Sequence, residues 1–500
     1  MTATETRSML AQSIFPRIDC SRYVADAGFR DAMIALAESG SVGGFVLFDG
    51  TVEQVSMITS TLGRLGEGRL LFAADCEDGV TMRFSGGTEF PSMMALGTAD
   101  DVSATYAVAR SIAREMRAIG LHWNFAPVAD INTNPDNPII NVRAFGETPE
   151  LVGRHVAAYV RGMQDEGVIA CAKHFPGHGD TERDSHIEVP VVRADRARLE
   201  RVELVPFREA IAAGVRSTMI AHVAVPSLDP TGTPASLSRA LTEDLLRRDL
   251  RFDGVIVSDA MDMHAITERL DAGAAAVAAY LAGADVLETL PDPVAALEAL
   301  VQAAGDGVIG GARIAATAAR IDAMREWALG VAAPPTLESA RHGHEVIAVE
   351  AARRSTRAEG TLRRIFPPLF VVAVADEATI AKAEEWFAYF SAWYPGEAGG
   401  AIATPEMSDE DLAEMRRCIA QAGTVIVSLF VRPRGYAGTV GLSDHQREIV
   451  ECAAAKPLAL LNFGNPYLLR DVESRFRLDA FSSASASLAV SIEKLAAAVD

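Results

Sequence analysis

Residues 168–186 read VIACAKHFPGHGDTERDSH. An apolar run of strand length meets Lys173 and His174 and then breaks into a polar loop, as a buried parallel strand does where it reaches a functional surface. The same event recurs along the chain. Gly43–Phe48 (GGFVLF) ends at Asp49, Leu70–Ala74 (LLFAA) at Asp75, Thr218–Ala221 (TMIA) at His222, Gly254–Ser258 (GVIVS) at Asp259 and Ala284–Leu287 at Glu288. Leu121–Val128 follows the helical stretch TYAVARSIAREMRAIG. Seven repeats of strand, polar residue, loop and helix up to about residue 330 approach the eight of a (β/α)8 barrel. In such a barrel the polar residues at the strand ends line the active-site mouth. A doubly wound sheet would also carry ligands at its strand C-termini.

The pattern pauses over residues 327–340, where Ala-Ala-Pro-Pro reads as a linker. A helix (RHGHEVIAVEAARRS) follows, and strands near Leu369–Val374, Thr424–Leu429 and Leu458–Leu461 alternate with helices. The expected fold class is α/β: a catalytic TIM-type barrel over residues 1–335, then a smaller α/β sandwich domain over 336–500. A chain of 500 residues suits two cores better than one.

Hydrophobic residues at 49% and charged residues at 23% point to a folded, soluble protein rather than a disordered one. The 46 basic against 67 acidic side chains leave a net charge of −21, which argues against nucleic acid and anionic membranes as partners. Five scattered cysteines with no CxxC pair fit reduced thiols in a cytosol. The N-terminal MTATETRSMLAQSIFPRIDC has no positive segment followed by an apolar one. No apolar run reaches the ~18–20 residues that cross a bilayer. The expected location is cytoplasmic.

The loop Lys173–His186 holds three histidines, three acids, two glycines and a proline, too polar a set for packing alone. One reading is a metal site built from His174, His178, Asp180, Asp184 and His186. The spacing matches no zinc pattern, and Pro176 and Gly177 interrupt the His174–His178 pair. The other reading is acid–base catalysis. Asp184 and His186 are two residues apart, so in an extended segment they share a face, and a carboxylate there fixes the tautomer of an imidazole that titrates near neutral pH. A nucleophile would complete the set, and GVIVSDAMDM offers Asp259 at a strand end. The plain alternative is that Asp259 caps the next helix. Asp262, three residues on, is expected inside the start of that helix.

These residues resemble a known family. KHFPGHGDTERDSH is similar to the signature loop of the family 3 β-N-acetylglucosaminidases, and GVIVSDAMDM to their nucleophile segment. PRID, GGFVLF, the DxExG stretch Asp75–Gly79, NFAPVADIN, VRAFG, PASLS and GADVLE fall in the family's order. HEVIAVEAARRS and LLNFGNPYLL resemble parts of the C-terminal α/β domain that some members carry. The resemblance implies a retaining, two-step displacement. Asp259 would be the nucleophile, and His186, held by Asp184, the acid/base. Asp75, Arg83, Arg143, Lys173 and His174 would bind the sugar. It implies a small-molecule glycoside as substrate, neither cofactor nor metal, and a monomer or homodimer. The reaction would release terminal β-linked N-acetylglucosamine from peptidoglycan or chitin-type fragments. Phosphate as acceptor in place of water, or a non-catalytic sugar-binding protein, are the alternatives. The chain departs from the family at Cys76, Asp78 and Val80, where a Gln or His and a second glycine with a nearby arginine are usual.

Overall fold

Pro16 divides the first strand, which the sequence pattern does not reveal as one. β1 (Ile14–Phe15) and β2 (Arg17–Asp19) flank it. β2 begins a parallel sheet that proceeds in chain order through β3 (Gly44–Phe48), β4 (Leu71–Ala74), β5 (Trp123–Asn124), β6 (Ile169–Phe175), β7 (Ser217–Ile220) and β8 (Val255–Ser258). β1 pairs in parallel with β9 (Leu287–Glu288), and a parallel bridge between Val257 and Val286 joins β8 to the residue before β9. Because β1 and β2 are consecutive across Pro16, the sheet closes on itself. The result is a TIM-type barrel with eight strand positions among the described residues. The computed structural model describes residues 1–181, 189–331, 336–362, 364–433 and 441–499.

Alternation along the strands sorts the side chains. Leu71 and Ala73, Ile169 and Cys171, Val255 and Val257 share one buried cluster with Phe15 and Val286. With a period of two along each strand, these positions fill the barrel interior. Trp123 sits among them, edge-on to Phe15 at 5.7 Å and Phe125 at 5.2 Å. Its Nε1 donates to Ser217 Oγ at 2.7 Å, so the polar edge of this interior ring is satisfied. Ile321, Met324 and Ala328 of helix Gly311–Leu329 join the same cluster. The outer helices begin at strong caps: Thr51 and Gln54 form a capping box, and Asp271 and Asp292 accept the third backbone N–H of their helices. At the start of β9 the buried Asp285 receives Arg247 at 2.8 Å, Arg313 at 3.0 Å and Arg320 at 2.7 Å, which anchors the closing strand to two flanking helices.

The barrel unit comprises residues 1–88, 102–134 and 147–344. Residues 89–101, 135–146 and 345–500 form a second unit, so the division follows three segments of chain rather than a single cut. The linker read over 327–340 is shorter than expected. Helix Gly311–Leu329 runs into it, Leu337–Ala340 is helical, and residues 332–335 lie outside the described residues.

The second unit is a smaller α/β layered domain. Its sheet has the order β10 (Arg357–Gly360), β15 (Phe476–Asp479), β14 (Leu458–Asn462), β13 (Thr424–Leu429), β11 (Leu369–Val374), β12 (Ala398–Ala403). Of these pairings only β10–β15 is antiparallel. Val372, Val425 and Val427 face one core with helices Asp409–Gln421 and Asp444–Ala454. Val371, Ile426 and Leu461 face the other with helices Ile380–Trp393 and Ser485–Ala498. The buried Gln446 Nε2 donates to the carbonyls of Ala375 and Ala403, tying off the ends of β11 and β12.

Candidate active site

The inward periodicity continues past the strand ends. Two residues beyond Ala73, Cys171, Val257 and Val286 stand Asp75, Lys173, Asp259 and Glu288, so one layer at the C-terminal mouth is built of ionisable side chains. Lys173 is 2% exposed, and its Nζ lies 2.7 Å from both Asp75 Oδ1 and Glu77 Oε1. Arg83 Nη2 reaches Asp75 Oδ2 at 2.8 Å, and its guanidinium lies 4.9 Å from the Phe48 ring. Burial pushes the Asp75 carboxyl up, but Lys173 and Arg83 outweigh it and hold the group well below the usual carboxylate range. Asp75 is thus a fixed anion with both oxygens oriented.

The loop behind Asp75 is pinned by the barrel. Asn124 Oδ1 accepts from the Cys76 N–H at 2.9 Å, and Asn124 Nδ2 donates to the Cys76 carbonyl at 3.0 Å. Tyr159 Oη donates to the Cys76 and Glu77 carbonyls. Gly79 has φ +129°, which a side chain would resist. Cys76 therefore keeps its thiol buried while its backbone holds Asp75 and Glu77 in place.

Asp130, fully buried, organises the start of the polar loop. Its carboxylate accepts from His174 Nδ1 at 2.7 Å, from the His174 N–H at 3.2 Å and from the His178 N–H at 2.6 Å. A neutral His174 ring then keeps its acceptor nitrogen at Nε2. His178 Nδ1 pairs with Thr181 Oγ1 at 2.7 Å, and burial lowers its pKa to about 4, against the pull of Asp130. Gly179 lets the loop lie on β5's extension: a Cβ there would stand 1.7 Å from the Ile131 carbonyl oxygen. Asp180 is paired with Arg198 at 2.9 Å. Asp184 and His186 lie outside the described residues. Among the described residues no group of three His, Cys, Asp or Glu could hold a metal ion.

Asp259 is partly exposed at the end of β8. Its N–H donates to the Ile220 carbonyl at 2.9 Å, continuing the ladder, and its Oδ1 accepts from the Ala260 N–H at 2.9 Å. It caps no helix: the next one, His264–Thr267, begins after Met263. Asp262 also precedes that helix, contrary to expectation. Burial raises its carboxyl against the pull of Arg17, and the charge of Asp259 adds to the rise. His222, left without a role by the sequence, is a brace. Its Nδ1 pairs with Ser236 Oγ at 2.6 Å and its Nε2 with the Ala260 carbonyl at 2.9 Å, which steadies the residue after Asp259. Asp130 was likewise legible only as part of NFAPVADIN. Arg143 belongs to the segment 135–146 of the second unit, where its guanidinium donates to the Ile139 carbonyl at 2.9 Å.

The barrel mouth thus offers an oriented carboxylate at Asp259, a fixed anion at Asp75 with its lysine, and an imidazole at His174. No helix among the described residues is long and apolar enough to cross a membrane. Residues 23–324 match the model of the glycosyl hydrolase family 3 N-terminal domain. A β-hexosaminidase of Hydrogenovibrio crunogenus is 37% identical over 271 residues, 52% of this chain and 75% of that protein. β-Hexosaminidase A of Pseudoalteromonas piscicida is 35% identical over 270 residues, of which this chain spans less than half the length, 45%. The solved structure of a glycoside hydrolase family 3 β-N-acetylglucosaminidase from Paenibacillus sp. str. FPU-7 superposes with a TM-score of 0.85 at 30% identity, covering 99% of this chain and 97% of that one.

Proposed function

The chain belongs to glycosyl hydrolase family 3 and is a glycoside hydrolase, and from that premise we propose that it is a retaining, exo-acting β-N-acetylglucosaminidase. The observation that carries the reading is the layer Asp75, Lys173 and Asp259 at one mouth, in a chain whose relatives are named for hexosaminidase activity. Asp259, with one oxygen oriented by the Ala260 N–H, attacks the anomeric carbon and forms a glycosyl ester. His186, held by Asp184, protonates the leaving oxygen and then activates water. This part rests on the resemblance of the loop KHFPGHGDTERDSH. Asp75 accepts from sugar hydroxyls, kept anionic by Lys173 and Arg83, while His174 presents Nε2 on a ring fixed by Asp130. The sugar-binding part of Arg143 rests on the resemblance alone. The natural substrate is a peptidoglycan or chitin-type fragment handled by a monomer or homodimer in the cytoplasm. Five free thiols support a reducing compartment.

The test is a panel of 4-nitrophenyl β-glycosides. The N-acetylglucosaminide is expected to exceed the glucoside and N-acetylgalactosaminide by at least tenfold in kcat/KM, roughly the selectivity that one well-fitted contact supplies. A glucoside preference would overturn the reading. The same panel run in phosphate identifies the acceptor: N-acetylglucosamine 1-phosphate as main product would replace water by phosphate. His186→Ala is expected to cost about 10²–10⁴-fold on alkyl or saccharide leaving groups and far less on 4-nitrophenol, since only the former need a proton. Equal losses would remove His186 from the acid/base role.

A further inference from the structure

Glu288 ends β9 and is 4% exposed. Val286, two residues earlier, packs in the barrel interior, so the pleat directs Glu288 into the same mouth layer as Asp75, Lys173 and Asp259. Its backbone is tied to the β8 end: the N–H donates to Ser258 Oγ at 3.2 Å, and the carbonyl accepts from the Met261 N–H at 3.1 Å. Thr289 serves the carboxyl, yet Oε2 is buried with no hydrogen-bond partner among the described residues. Buried polar atoms in folded proteins are ordinarily paired, and an orphan beside an active-site carboxylate marks a place where a ligand atom completes the set.

We propose that Glu288 is a further substrate-contacting residue, whose Oε2 bonds a hydroxyl of the sugar held between Asp75 and Asp259. The inference rests on the hexosaminidase reading given above. Burial, and after it the charges of Asp259, Asp75 and Asp262, push the Glu288 carboxyl well above the usual range, which favours its neutral, donating form. The cations facing this cluster stand on other elements and are engaged: Lys173 and Arg83 on Asp75, and Arg17 2.7 Å from Asp19 and in the field of Asp262. Ionised Asp75 and Asp259 can only accept. Oε2–H supplies a donor on their side of the ring, which suits an oxygen whose own proton points to a carboxylate.

The test is steady-state kinetics of the full chain on 4-nitrophenyl N-acetyl-β-glucosaminide. Glu288→Leu, which removes the polar group at similar volume, is expected to raise KM at least tenfold without lowering the Tm. Glu288→Gln keeps a donor and is expected to lose several-fold less. The pH profile adds a readout that a packing role would not move. As pH rises, Glu288 ionises, the donor is lost and a further anion joins the mouth, so wild-type kcat/KM falls on its alkaline side. Gln cannot ionise, and its profile should hold to higher pH. A Leu variant with wild-type KM, equal losses in Leu and Gln, or superimposable pH profiles would overturn the assignment. Should the Leu variant not fold, the Gln profile decides. Wild-type protein that turns over neither N-acetylglucosaminide nor glucoside would instead strike the parent reading, and this one with it.

Discussion

Asp259→Ala is expected to reduce kcat/KM on an activated aryl N-acetyl-β-glucosaminide by about 10⁴-fold or more, a barrier rise of ~5.5 kcal/mol. The loss follows from the chemistry: with no carboxylate at the end of β8, the first displacement has no nucleophile, and an activated leaving group cannot compensate. The fold should not suffer. Asp259 caps no helix, and its Oδ1 accepts the N–H of the adjacent Ala260. Its charge acts unfavourably on Glu288 and Asp262, both of which it helps push up. Removing it relieves that repulsion, so the Tm should hold or rise while turnover vanishes, the trade-off characteristic of catalytic residues. Calorimetry beside the assay separates the two effects. Near-normal turnover would refute the nucleophile, and a collapse of the Tm would mean that the activity loss came from unfolding.

The barrel was legible because parallel strands buried on both faces are continuous apolar runs, and each run here stops at a charged or imidazole side chain. The strand that closes the ring was not legible. Ile14–Phe15 and Arg17–Asp19 are too short to show a period, and Pro16 between them reads as punctuation. In the second unit the three central strands are Val/Leu/Ile-rich, whereas β12 carries Gly399 and Gly400 and β10 is exposed throughout. Edge strands lack the pattern because they lack the burial that produces it. At the mouth, Asp259 and Asp75 stood out by position. Asp262 was misjudged because its helix starts two residues after it. Asp130 carried no local signal beyond its place in NFAPVADIN, and Glu288 showed only as the polar residue that ends a strand. Their importance lies in what surrounds them: three donors converging on one carboxylate, and a buried oxygen among acids.

Lys173→Met is expected to cost about 3–5 kcal/mol at neutral pH, the penalty for removing one partner of a buried ion cluster. Nζ is the shared counter-ion of Asp75 and Glu77, whose side chains are 14% and 4% exposed, and among the described residues Arg83 is left to offset Asp75. For a barrel of this size the Tm should fall on the order of 10 °C. The pH dependence identifies the cause. The folded-state pKa of Asp75 lies below its unfolded value, so its stabilisation is present above the unfolded value, ~3.9, and is lost as pH falls through the folded one. Without Lys173 that depression shrinks, and Asp75 takes up a proton more readily on acidification. The Tm gap between wild type and variant should therefore be widest near neutrality and narrow towards about pH 4. A gap that stays constant with pH would assign the loss to packing of the lysine stem instead of its charge. Activity should fall further than stability at temperatures where both proteins are folded, since an Asp75 that has lost its lysine and keeps only the Arg83 pair on Oδ2 no longer presents both acceptors in fixed positions to the sugar. Normal KM in a folded Lys173→Met would take Asp75 and Lys173 out of the sugar site and leave them as a structural ion pair.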